Sequence, residues 1–118
     1  MIEEAEETMT RALERELHDE EGYLIEPEHW SEDIARRMAA GEGLALTEEH
    51  WKVIGFMREQ YAERLVAPDA RFVVKFMADD LGYGPRARAR LFELFPYGYV
   101  KQACKVAGMK RPRAWSTG

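Results

Sequence analysis

A chain of 118 residues has room for one hydrophobic core, so a multi-domain catalyst is excluded and residues 1–118 are expected to form a single domain. Hydrophobic residues at 46% and charged residues at 33% describe a folded globular protein rather than a disordered one. The formal net charge of -5 conceals a split: residues 1–50 hold 16 acidic and 4 basic side chains, whereas 51–118 hold 6 and 13. That asymmetry fits either charge balance within the fold or an anionic partner for the basic end.

Residues 1–18 offer only Met9, Leu13 and Leu17 as an apolar stripe and are expected to be a loose N-terminal segment. Asp19-Glu20-Glu21-Gly22-Tyr23-Leu24-Ile25 reads as a turn into a short strand, hence a small β-hairpin, which Pro27 ends. Ser31 is placed to cap a helix with Glu32 and Asp33 in its first turn, Ile34 and Met38 facing inward, and Gly41-Glu42-Gly43 at its end. Thr47 opens the next helix, expected over 48–65, with Val53, Ile54, Met57, Tyr61 and Leu65 on one face. After a break at Ala67-Pro68-Asp69, the residues Phe72, Val73, Phe76, Met77 and Leu81 mark a third helix that stops at Gly82-Tyr83-Gly84-Pro85. Ala87, Leu91, Leu94 and Phe95 form the inward face of a fourth, interrupted by Pro96-Tyr97-Gly98. A last helix over about 99–107 ends at Gly108, and 109–118 reads as a flexible C-terminal arm. The fold class expected is mainly α (α+β): a small helical bundle with a helix-turn-helix-like arrangement, the hairpin and the arm.

Several chemistries lack their residues. No GxxxxGK[ST] or GxGxxG loop is present for phosphates, and no GxSxG turn for a serine nucleophile. His18, His29 and His50 are scattered without HExxH spacing, so no metal is expected, and His50 beside Glu48 and Glu49 reads as a surface residue. No cofactor is expected either. No apolar run approaches the ~20 residues of a membrane span, and the acidic N-terminus is unlike a signal peptide, which points to the cytoplasm.

Cys104 is the single cysteine, so no intramolecular disulfide can form. On its helix it shares a small apolar side with Val100, Ala103 and Ala107, where it reads as a buried hydrophobe. Lys101 and Lys105, within a turn on either side, favour a thiolate, so a reactive thiol is the competing reading. A DNA-binding reading of the basic helices has only Lys101, Gln102 and Lys105 to read bases with, so nucleic acid is disfavoured as a partner.

The run Leu91-Phe92-Glu93-Leu94-Phe95-Pro96-Tyr97-Gly98, followed by Lys101-Gln102-Ala103-Cys104-Lys105-Val106-Ala107-Gly108, resembles the DsrC/TusE family. Asp19-Glu20-Glu21-Gly22-Tyr23-Leu24, Trp30-Ser31-Glu32, Leu46-Thr47-Glu48-Glu49-His50-Trp51, Val53-Ile54, Tyr61 and Pro68 continue the likeness in the same order, over about residues 19–112. The resemblance implies a mostly helical fold with an N-terminal hairpin and a C-terminal arm. It also implies a sulfur carrier that works with a dissimilatory sulfite reductase or a sulfurtransferase complex and holds sulfur as a persulfide or trisulfide. The family's dissimilatory members use two cysteines, one matched by Cys104 and a penultimate one eleven residues on, and that position here is Trp115.

Two functions stay open at this stage. Cys104 is the catalytic thiol of a sulfurtransferase-like carrier, with Lys101, Lys105, Arg111, Arg113 and Trp115 binding its partner. Alternatively the chain is a non-catalytic paralogue that serves as a protein-binding or regulatory module, with Trp115 as an apolar anchor.

Overall fold

The computed structural model describes residues 18–110. Five α-helices carry the fold among them: α1 (Glu32–Gly41), α2 (Glu48–Arg64), α3 (Ala70–Asp79), α4 (Ala87–Leu94) and the single turn α5 (Cys104–Val106). A π-helical turn, Tyr99–Ala103, runs directly into α5. The helix starts obey local chemistry. Ser31 Oγ accepts the Ile34 N–H at 3.2 Å, and Asp69 accepts the Arg71 N–H at 2.9 Å. The helix expected over 48–65 is Glu48–Arg64, ended by Leu65 in the left-handed region at φ 60.

The expected hairpin is corrected. Among the described residues the N-terminal region has no strand, only one antiparallel bridge between His18 and Leu24. Asp19 explains this, because its carboxylate takes the N–H groups of Glu21 and Tyr23 at 2.9 and 3.0 Å and so closes a turn in place of a ladder. The loose segment expected over 1–18 falls outside the described residues apart from His18.

Two inward faces also differ from the periodicity. In α1 the fully buried positions are Ala35 and Ala39, while Ile34 and Met38 are half-buried. Two alanines let the backbone of α1 approach α5 closely, which larger side chains would prevent. In α3 the buried residues are Ala70, Val73 and Met77, Phe76 stacks on Phe56 of α2 at 4.3 Å, and Phe72 is exposed. The α4 face is as expected, with Ala87, Leu91, Leu94 and Phe95 all buried.

His50 is the clearest departure from its sequence reading. It is buried, not a surface residue. Its Nδ1 accepts the Thr47 N–H at 3.0 Å, so its ring proton sits on Nε2, which donates to Leu94 O at 2.7 Å. One side chain therefore caps α2 and also satisfies a carbonyl at the end of α4, with Phe95 edge-on to the ring at 5.1 Å. His50→Ala removes the cap and orphans a buried carbonyl. A loss of about 2 kcal/mol is expected in chemical denaturation, and a change within the error of that measurement would contradict this role.

Candidate functional site

The site is built around the end of the chain's core. Gly98, at φ 97, lets the backbone reverse out of α4 into the π-turn. Cys104 then begins α5, its N–H bonded back five residues to Tyr99 O. Its thiol is 0% exposed. Burial pushes its pKa from 9.0 to about 12, while a hydrogen bond with the Tyr99 hydroxyl pulls the other way. A folded value above the unfolded one means that the protonated thiol contributes stability below pH 9, and that this contribution is lost as pH rises towards 12. At neutral pH the resting group is a protonated thiol, and its chemistry requires an opening.

The segment that carries Cys104 is held by side chains from the N-terminal half. The Tyr23 hydroxyl donates to Val100 O at 2.8 Å, and the Trp30 indole N–H donates to Val106 O at 2.9 Å. Arg58 spans Ala107 O at 2.7 Å and Pro27 O at 3.1 Å, its guanidinium 4.2 Å from the centre of the Trp30 ring. Glu42, at the end of α1, accepts from Gln102 at 3.0 Å and Lys105 at 3.5 Å. Met109 N–H donates to Cys104 O at 2.9 Å. These bonds fall into two groups. Tyr23 on Val100 O, Glu42 on Gln102 and the Tyr99 hydroxyl on Pro68 O fix the π-turn upstream of the thiol, whereas Trp30, Arg58 and the Glu42–Lys105 pair hold Lys105, Val106 and Ala107 downstream of it.

Of the residues singled out from the sequence, the structure brings Lys105 near Cys104 along the chain but turns its ammonium away, to Glu42 and to the Tyr23 ring at 5.2 Å. Lys101 is exposed. Burial is the largest influence on the thiol, and Lys105 is engaged by Glu42. Gln102 is buried and bound to Glu42 and the Tyr97 N–H, which removes it from any base-reading face. Met109, placed by the sequence at the start of the arm, is fully buried. Arg111, Arg113 and Trp115 lie outside the described residues, as does the rest of the expected arm beyond Lys110. No cluster of His, Cys, Asp or Glu suited to a metal ion occurs among the described residues. None of their helices is long and apolar enough to cross a membrane.

Glu42, Arg58 and Tyr99 escape sequence reasoning, since their partners are 31 to 63 residues away. Periodicity carries no signal for such pairs. Tyr23 and Trp30 do carry one, since both stand in the segments that resemble the family.

A helical domain with its one thiol rooted in a clasped terminal turn defines the class of protein. The DsrC like protein family profile matches residues 11–114, and the chain belongs to that family. It is 46% identical over 94 residues to the sulfurtransferase TusE of Salmonella paratyphi A, covering 80% of this chain and 86% of that protein. The solution structure of Allochromatium vinosum DsrC superposes with a TM-score of 0.73 at 42% identity, over 84% of this chain and 88% of that one. The oxidized γ-subunit of the dissimilatory sulfite reductase (DsrC) from Archaeoglobus fulgidus gives 0.68 at 31% identity, over 83% and 90%.

Proposed function

We propose that this protein is a sulfur-relay carrier whose cargo site is Cys104. Supporting this is the setting of the only thiol in the sequence: a DsrC-family chain whose single cysteine is buried beneath a segment held by a few side-chain bonds. Release of the Trp30, Arg58 and Glu42–Lys105 bonds is the opening that frees 105–110 and uncovers Cys104 while the π-turn stays anchored. The exposed thiolate then attacks the outer sulfur of a donor persulfide. One S–S bond breaks in the donor and one forms on Cys104, and the donor thiolate leaves and takes up the proton given up by Cys104. Because position 115 is tryptophan, no second thiol of this chain can displace the sulfur, so discharge goes to another molecule.

The partner proposed is a sulfur-transfer protein such as a dissimilatory sulfite reductase or a sulfurtransferase complex, which suits relatives named as a sulfurtransferase and as the γ-subunit of the dissimilatory sulfite reductase. Lys101, Arg111, Arg113 and Trp115 are proposed as its docking residues, and the reducing cytoplasm is the compartment that keeps a single thiol available. Intact-mass spectrometry after exposure to a persulfide donor tests the proposal. A gain of one sulfur atom is expected in the native chain and none in Cys104→Ser. A native chain that gains nothing, when a two-cysteine relative loads under the same conditions, rules the carrier reading out.

A further inference from the structure

We infer that Lys105 is a positioning residue of the site: its ammonium latches the segment that covers Cys104 onto the anchored side of the thiol, so that charge pairing at position 105 governs how often the thiol is uncovered. The purpose of such a latch rests on the carrier reading. Its mechanism rests on the seat that the fold builds for the ammonium.

Lys105 follows Cys104 directly and lies in the segment that has to move. Its Nζ stands 3.5 Å from Glu42 Oε2 and 5.2 Å from the centre of the Tyr23 ring, and the side chains of the ion pair are only 20% and 21% exposed. The stem runs along the N-terminal turn, since a Cβ on Gly22 would stand 3.7 Å from Nζ and 3.8 Å from Cδ and Cε. A lysine with its stem covered and its head between a carboxylate and an aromatic face occupies a built seat, unlike the exposed Lys101.

Both walls of that seat are tied to the π-turn. The Tyr23 hydroxyl donates to Val100 O at 2.8 Å, and Glu42 Oε1 accepts from Gln102 at 3.0 Å, while Gln102 itself accepts the Tyr97 N–H at 3.0 Å. Tyr23 and Glu42 therefore each reach across Cys104, upstream by a hydrogen bond and downstream by a charge interaction with Lys105. When the ammonium leaves, Glu42 keeps Gln102 and Tyr23 keeps Val100 O, so the walls stay and the downstream segment moves. The other holds on that segment are different in kind. Trp30 and Arg58 grip the carbonyls of Val106 and Ala107, which any residue would offer, whereas this one depends on the charge that stands at 105.

Alkylation of Cys104 by iodoacetamide, an uncharged reagent, reports the opening and needs no sulfur donor, so its outcome is separate from whether the chain loads sulfur. At fixed pH, Lys105→Met keeps an unbranched apolar stem without the charge and is expected to react about fivefold faster than the native chain, with Lys105→Arg within about twofold of native. Glu42→Gln, whose carbonyl still accepts from Gln102, is expected to react faster too, and to add nothing when combined with Lys105→Met. Low concentrations of urea separate the latch from general destabilisation, because local opening depends weakly on urea and global unfolding strongly. A native rate in Lys105→Met, a Lys105→Arg as fast as Lys105→Met, or an acceleration with the full urea dependence of unfolding overturns the proposal. If Lys105→Met does not fold, the native chain decides alone: raising NaCl from about 0.05 M to about 1 M must speed alkylation by screening the pair, and a constant rate overturns the proposal equally.

Discussion

Gly108→Ala is expected to cost about 3 kcal/mol and to loosen the segment that covers Cys104. Gly108 has φ +79, a region that L side chains enter at a cost, and a Cβ there would stand 2.8 Å from both Cβ and Cγ of Trp30 and closer still to Cδ1. Both obstacles are structural and neither has an easy escape. The indole is held by its bond to Val106 O and by the Arg58 guanidinium above it, so it cannot rotate away without releasing two contacts that close the site. The measurable result is a lower midpoint in chemical denaturation together with faster alkylation of Cys104 under native conditions. A Gly108→Ala variant as stable as the parent would show that the contact with Trp30 does not hold the segment.

Arg58→Ala is expected to lose about 2 to 3 kcal/mol, and Arg58→Lys most of that. The reason lies in the fork. One guanidinium reaches Ala107 O and Pro27 O together and still stacks on Trp30. A lysine ammonium keeps the charge but cannot span two carbonyls in a plane while covering an aromatic face. Arg58 is half-buried, and burial lowers its pKa against the opposing fields of Tyr61 and Glu28, so the protein spends desolvation to keep it there. If Arg58→Lys matches the parent in denaturation, the plane and the fork are irrelevant and only the charge counts.

Elements decided by local chemistry are legible in the sequence. Ser31 as a cap, the span from Glu48 to Arg64, and the buried face of α4 all come from short-range pattern. A packed face defined by small residues rather than large ones is harder to see, as at Ala35 and Ala39, because alanine stands out weakly in any apolar stripe. His50 reads as surface because its acidic neighbours dominate the pattern. The Thr47-x-x-His50 spacing, with the ring in the place of the Glu or Gln of a capping box, is the available signal.

The last helix is legible but its π-turn is not, since nothing in Tyr99-Val100-Lys101-Gln102-Ala103 announces an i to i+5 rung. That turn depends on tertiary anchors: Tyr23 on Val100 O, Glu42 on Gln102 and Pro68 O on Tyr99. At the site, the sequence locates the thiol but not the partner that Lys105 takes. That partner is Glu42, 63 residues away along the chain.

The proposed function requires a thiol that is inert while clasped and reactive once 105–110 are released. A time course of sulfur loading, tracked by intact mass with the same persulfide donor on the native chain, Arg58→Ala and Cys104→Ser, tests that most directly. Loading of one sulfur on the native chain, faster loading on Arg58→Ala and none on Cys104→Ser are predicted. Equal rates for the native chain and Arg58→Ala, or a sulfur retained in Cys104→Ser, would contradict it.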